Sequence, residues 1–121
     1  MTSSAVRVAH CLDVACTTAG LTTLDNTGGE YSSITIGQDG FGLIALRDHT
    51  HSALKVAYCS NLPCTDATLV TVDDSANVGT YPSITIGSDG FGLIAYCDET
   101  NNHLKVAHLS SDPSFRPSVL P

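Results

Sequence analysis

The sequence predicts an all-β fold of antiparallel, four-stranded meanders, and three observations support this prediction. First, the chain repeats itself: residues 31–46 read YSSITIGQDGFGLIAL, residues 81–96 read YPSITIGSDGFGLIAY, and 13 of 16 positions agree. Second, apolar and polar residues alternate within the repeated stretches, as they do along a half-buried strand. Third, no apolar stripe with helical spacing persists for three turns.

A second repeated block gives the period. VRVAHC at 6–11 returns as LKVAYC at 54–59 and as LKVAH at 104–108. A period of 48 to 50 residues is typical of stacked or radial β repeats. The chain is therefore interpreted as one repeat domain with a partial unit at 6–25, a complete unit at 31–73, a near-complete unit at 81–109 and a tail at 110–121.

Each unit is interpreted as strands joined by short turns. Asp39-Gly40 and Asp89-Gly90 lie between apolar runs and are strong hairpin signals, in which both residues accept a positive φ. Short connections favour antiparallel pairing of successive strands. The strands predicted in this way are 6–11, 21–24, 54–59, 68–72, 83–86, 91–97 and 104–108.

The alternation predicts which side chains are buried between sheets. They are Ile34, Ile36, Leu43 and Ala45, with their repeat partners Ile84, Ile86, Leu93 and Ala95. A four-stranded meander with both faces apolar is like the blade of a β-propeller. Two such units leave strand edges and apolar faces open to water, so we expect closure by homo-oligomerisation. A six-bladed ring of three chains is preferred slightly to a dimer.

The motif I-x-I-G-x-D-G-F-G-L-I-A-Y-x-D-x-T-N, followed by L-K-V-A-H, resembles the short blade repeats of large bacterial extracellular proteins. The resemblance covers residues 6–109. It implies a propeller-like or solenoid-like shape and no particular activity. The motif departs from the Asp-box of sialidases, because Ser88-Asp89-Gly90-Phe91-Gly92 places its aspartate one position early. Sialidase chemistry is therefore not implied.

Four of the five cysteines form two C-x4-C pairs at the same place in the repeat: Cys11 with Cys16, and Cys59 with Cys64. If the four residues between the cysteines of each pair form a hairpin loop, the two cysteines face each other with Cα atoms about 4.5 to 5.5 Å apart, which suits a disulfide. Disulfides are predicted, and reduced thiols or a metal site are the alternatives. Cys97 remains as a free, small apolar residue.

Charge and cysteine use limit the partners and the location. Twelve acidic against five basic residues give a net charge of -7, which disfavours nucleic acid and anionic membranes. No apolar run is long enough to span a bilayer. Disulfides imply an extracellular or periplasmic location, whereas the opening MTSS has no secretory pattern, so a cytoplasmic location stays open.

The candidate ligand-binding residues are rings with a polar tip that recur in the repeat: Tyr31, Tyr81, Tyr58, His10 and His108. The plainer interpretation of such rings is a half-buried side chain whose polar atom finds a partner. The segment DHTH at 48–51 could form a metal site, but a polar turn is preferred because the matching segment of the next unit lacks the histidine pair. Neither a metal nor another cofactor is predicted.

The sequence has no Ser-His-Asp signature and no phosphate-binding glycine loop. The predicted function is therefore a non-catalytic binding or structural module that acts as a homo-oligomer. One alternative is a lectin-like carbohydrate-binding protein that uses Tyr31 and Tyr81 in equivalent pockets. Another is an enzyme whose site is shared between subunits, with carboxylates gathered around His49 or His51.

Overall fold

The computed structural model describes residues 5–26 and 31–109, together with the backbone of 118–119. These residues form antiparallel strands and no helix, which confirms the all-β prediction. No segment of this described part is therefore a helix capable of crossing a membrane. The strands are β1 (Val6–Cys11), β2 (Ala19–Asp25), β3 (Ser32–Ile36), β4 (Gly42–Asp48), β5 (Ala53–Cys59), β6 (Ala67–Asp73), β7 (Val78–Ile86), β8 (Gly92–Asp98), β9 (His103–His108) and β10 (Ser118–Val119).

The strands form three sheets in chain order. Sheet A contains β1 and β2, sheet B contains β3 to β6, and sheet C contains β7 to β10, each as a meander. Strand β10 is only two residues long, with Ser118 opposite His108 and Val119 opposite Ala107. The other residues of the predicted tail lie outside the described part of the chain.

Both Asp-Gly turns are three-residue loops with the same hydrogen bonds. In the first, the N–H of Gly37 donates to the carbonyl of Phe41, and the N–H of Gly40 donates to that of Gly37. Gly40 has a φ of 85°, the left-handed conformation that this kind of loop requires at its last position. Asp39 does not have a positive φ. Its carboxylate instead accepts the N–H of Phe41 at 2.9 Å, and the turn at 87–91 has the same geometry.

The sheets pack face to face in chain order, so that sheet B is covered on both sides. Alternate residues of β4 and β5 point to opposite neighbours, because successive side chains of a strand lie on opposite faces. The core between sheets A and B contains Val6, Ile44, Leu46, Ala57, Cys59 and Cys64. The core between sheets B and C contains Leu43, Ala45, Leu54, Val56, Tyr58, Val78, Ile84, Ile94, Tyr96, Ala107 and Leu109.

Strand β7 lies across β3, β4 and β5 and makes the close contact between sheets B and C. Gly79 permits this approach. It has a φ of 97°, and a Cβ atom there would lie 3.0 Å from the carbonyl oxygen of Ala53. A hydrogen bond from the N–H of Ile84 to the hydroxyl of Ser33 also joins β7 to β3.

The predicted core was only partly correct. Leu43, Ala45 and Ile84 are buried, whereas Ile34, Ile36 and Leu93 are exposed. The two isoleucines point to the side of sheet A, whose two strands cover β4 and β5 but leave β3 open. Leu93 points to the outer face of sheet C, which no other described sheet covers.

Candidate functional site

A cleft of about 340 Å³ opens between sheets B and C at the end that carries the Asp-Gly turns. The aromatic residues that follow the two turns, Phe41 and Phe91, line it together with Leu43, Ile86 and Leu109. Clefts of this size and apolar character are typical of small-molecule sites. Sequence reasoning missed it, although the aromatic residue after each Asp-Gly pair was a signal that could have identified it.

Two of the predicted ligand-binding residues lie in or near this cleft. Tyr58 lines it and is buried. His108 does not line it: the residue lies opposite Leu93 on the outer face of sheet C, and its ring contacts Phe91 edge to face with centroids 6.3 Å apart. The Nε2 atom of His108 is 2.6 Å from a carboxylate oxygen of Asp89. The backbone N–H of Phe91 and the imidazole of His108 both lower the pKa of Asp89.

Tyr31 and Tyr81 form a separate surface. Their ring centroids are 4.7 Å apart with an interplanar angle of 64°, so the rings meet edge to face in one place. The sequence hypothesis of two equivalent pockets is therefore wrong in its geometry. Tyr81 is the exposed member of the pair and has a φ of 51°, which directs its side chain out of the regular alternation of β7. His10, the remaining candidate, is half-buried in β1, away from both surfaces.

Both predicted cysteine pairs lie at disulfide distance, with Cα–Cα separations of 4.8 and 4.9 Å. The expected geometry was wrong, because the cysteines do not face each other across two strands. Cys11 pairs with Ala19 in the sheet, and Cys16 lies within the loop at a φ of 56°. The second pair has the same arrangement, so each bridge closes a turn inside the loop. Cys97 has no disulfide partner among the described residues.

An ion pair joins each sheet to the next at the end opposite the Asp-Gly turns. Lys55 of sheet B donates to Asp25 of sheet A, and Lys105 of sheet C donates to Asp73 of sheet B, both at 2.9 Å. The two aspartates end the same pattern, L-x-T-x-D, in β2 and β6. Sequence reasoning missed this repeated contact, because the lysine and its aspartate lie about 30 residues apart in different units.

Asp73 and its neighbour Tyr96 both have strongly shifted pKa values. Burial alone would raise the pKa of its carboxyl, but hydrogen bonds from Ser75, Tyr96 and Lys105 outweigh burial and lower it well below the ordinary range. The hydroxyl of Tyr96 donates to Asp73 at 2.7 Å. Burial and the neighbouring carboxylate raise the pKa of Tyr96. The group is fully hydrogen-bonded between packed sheets, so its geometry favours a structural role.

The predicted polar turn at 48–51 is a hairpin turn with internal contacts. Asp48 is buried and accepts the backbone N–H of His51 at 3.2 Å, and the ring of His51 lies 2.8 Å from the same carboxylate. Burial raises the pKa of Asp48, and the stronger opposing effect of His51 and Lys55 leaves it lowered. Within the described ranges, no three His, Cys, Asp or Glu side chains are grouped so that they could hold a metal ion.

The largest departure from the internal symmetry is the outer face of sheet C. Leu54 and Val56 of β5 are completely buried against sheet C. Leu104 and Val106 occupy the same positions of the repeat in β9 and are 75% and 40% exposed. Leu93 repeats the buried Leu43 and is exposed as well. The outer face of sheet C therefore has the apolar residues of a sheet interface without a covering sheet among the described residues.

Comparison of the chain with protein-family models, with curated proteins and with solved structures gave no match.

Proposed function

We propose that this chain is a non-catalytic β-repeat module that assembles with copies of itself into a propeller-like ring. The observation that carries the proposal is the exposure of Leu93 and Ile34 at positions where their repeat partners Leu43 and Ile84 are buried. The same repeat position has the same kind of side chain in both sheets. Only the neighbouring sheet differs, and a further sheet of the same repeat is the covering surface that these residues fit.

The ring follows from the direction of stacking. Sheet A packs on sheet B as sheet B packs on sheet C, so each contact joins two different faces of the repeated sheet. The stack of sheets therefore has a direction, with different faces exposed at its two ends. A head-to-tail contact between copies closes into a ring when the rotation per copy divides a full turn. Rings of four to eight sheets leave only short, protected edges. A trimer is the preferred state, and a dimer is the alternative.

The test is the mass in solution, measured by light scattering on the wild-type chain and on two variants. Leu93→Glu places a charge on the outer face of sheet C and should give the mass of one chain, 12.6 kDa. Leu62→Glu is the matched control, because Leu62 is 70% exposed but lies in the loop between β5 and β6. It should keep the wild-type mass, which we expect to be a multiple of 12.6 kDa. A wild-type mass of one chain would refute the proposal.

A lectin-like function is the second candidate, and the pairing of Tyr31 with Tyr81 is the observation that favours it. The exposed ring of Tyr81, supported edge-on by Tyr31, offers an apolar surface with polar tips to a sugar ring. A glycan array should then give signals that Tyr81→Ala removes and Leu62→Glu keeps. An array without signals for the wild-type chain would contradict this candidate.

A further inference from the structure

We infer that strand β1 of one copy pairs with strand β8 of a second copy and displaces that copy's own β9. This inference rests on the proposed self-association and specifies the contact by which it occurs. Three observations lead to it: the equivalence of β1 and β9, the open surfaces around sheet A, and the contacts of β9 in sheet C, which β1 can replace.

Strands β1 and β9 are interchangeable in sequence and in position. Val6 to Cys11 read VRVAHC, and 104–109 read LKVAHL, so each position keeps its chemical character except the last. Strand β9 pairs with β8, and the equivalent β5 pairs with β4, whereas β1 pairs with β2 alone. One edge of β1 is therefore open within the described residues, and an open edge accepts another strand.

The exchange provides partners for groups of β1 that lack them in a single copy. Lys105 on β9 bonds Asp73, whereas Arg7, at the same repeat position, is exposed and makes no hydrogen bond or ion pair with the described residues. In the exchanged sheet Arg7 meets Asp73 of the second copy. His10 likewise takes the place of His108 beside Asp89 of that copy.

The exchange also covers apolar surface on sheet B of the first copy. Strands β7 and β8 of the second copy come to lie beside β1, over β3 of the first. Ile34 and Ile36, which are 58% and 60% exposed, then face the exposed Leu93 of the second copy. In the existing contact between sheets B and C, the equivalent Ile84 is only 6% exposed, which shows the burial that this position reaches under a complete neighbouring sheet.

Strand β1 replaces most of the contacts that sheet C loses when β9 leaves it. The β8–β9 register has six residue pairs, which β1 can replace one for one. Strand β10 contributes only two pairs, and Leu104 and Val106 of β9 are exposed before displacement. The buried residues given up are Ala107 and Leu109, whose places are taken by Ala9 and by Cys11. In sheet B the cysteine at this position, Cys59, is buried in a sheet interface together with Cys64.

Cys97 is a native reporter of this contact. It faces Leu104 across the β8–β9 ladder, and Val6 takes the place of Leu104 in the exchanged sheet. The N–H of Leu109 donates to the carbonyl of Gly92, so alternate pairs such as that of Cys97 and Leu104 are the non-hydrogen-bonded ones. Their Cα atoms are expected about 4.5 Å apart, which a disulfide accepts.

The test uses two cysteine variants of the full chain with copper–phenanthroline as the oxidant. Val6→Cys should form bonds to Cys97 of another copy and give covalent multimers on a non-reducing gel, and the added change Cys97→Ser should abolish them. Arg7→Cys is the matched control, because it points to the other face of β1 and should give none. Leu104→Cys should form its bond within one chain, hold β9 on β8, and leave the oxidised protein with the mass of a single chain.

The outcomes separate this inference from the proposal on which it rests. If the wild-type protein has the mass of one chain in solution, both the strand exchange and the proposed self-association are refuted. Two results would refute the strand exchange while the wild-type chain still forms a multimer. The first is that Val6→Cys forms no disulfide between chains, and the second is that oxidised Leu104→Cys keeps the full multimer mass. Either result would leave the proposed self-association intact. If Val6→Cys does not fold, Leu104→Cys decides the question alone, because residue 104 is exposed and tolerates replacement.

Discussion

Leucine-to-alanine changes at two equivalent positions provide a sharp test of how the sheets pack. Leu54 of β5 and Leu104 of β9 occupy the same position of the repeat, in LKVAYC and LKVAHL. In a single chain Leu54 is completely buried between sheets B and C, and Leu104 is 75% exposed on the outer face of sheet C. The chemical change is identical, so the difference between the two variants measures burial.

The expected magnitudes follow from these exposures. Replacing a fully buried leucine by alanine costs about 2 to 5 kcal/mol, so Leu54→Ala should lower the free energy of unfolding by that amount. A fully buried leucine side chain contributes roughly 2 to 3 kcal/mol, and about a quarter of that applies at Leu104, so Leu104→Ala should cost about 0.5 kcal/mol in the dissociated chain. Leu104 lies on the strand that the proposed exchange displaces, so the loss at Leu104 should also stay small if copies of the chain assemble in that way.

Urea denaturation followed by circular dichroism measures both variants, at a low and at a high protein concentration. The stability of a self-associating protein depends on its concentration. Because the proposed exchange leaves Leu104 outside the contact between copies, the cost of Leu104→Ala should stay small at both concentrations. The cost of Leu54→Ala should be large at both concentrations. Equal, large losses in the dilute samples would show that Leu104 is covered within one chain and would refute the assigned packing of sheet C.

Three further predictions concern the contacts within the chain. Tyr96→Phe removes a hydrogen bond to a charged group and should therefore lower the free energy of unfolding in urea by about 1.5 to 3 kcal/mol. An unchanged stability would contradict the buried contact with Asp73. Asp73 has a lowered pKa in the folded chain, so its contribution to stability is present above about pH 4 and is lost as the pH falls through the folded-state pKa. The difference in free energy of unfolding between the wild-type chain and Asp73→Asn should therefore become smaller in acid. A difference that becomes larger in acid would refute the lowered pKa of Asp73. Alkylation of the denatured chain without reductant should modify Cys97 alone, as read by mass spectrometry, whereas five modified cysteines would show that neither pair is bridged.

Local patterns were enough to predict the elements of this fold. Alternating residues, Asp-Gly turns and the repeated blocks are determined by neighbours a few positions apart, so the antiparallel strands and their order could be derived from them. The short C-x4-C spacing likewise predicted which cysteines lie close together. Even here the structure corrected the detail: Asp39 supports its turn through its carboxylate, and Cys16 lies inside its loop.

Tertiary packing decided the rest, because a repeated sequence does not state which neighbours each copy of the repeat will have. Ile34 and Ile84 lie in the same local sequence, SITIG, yet the first is exposed and the second is buried, because a complete sheet covers only the second. Lys55 and Asp25 form an ion pair between two sheets, and Phe41 and Phe91 both line the cleft near the two Asp-Gly turns. Burial and charge pairing depend on what lies across the interface, and that surface comes from residues distant in the chain.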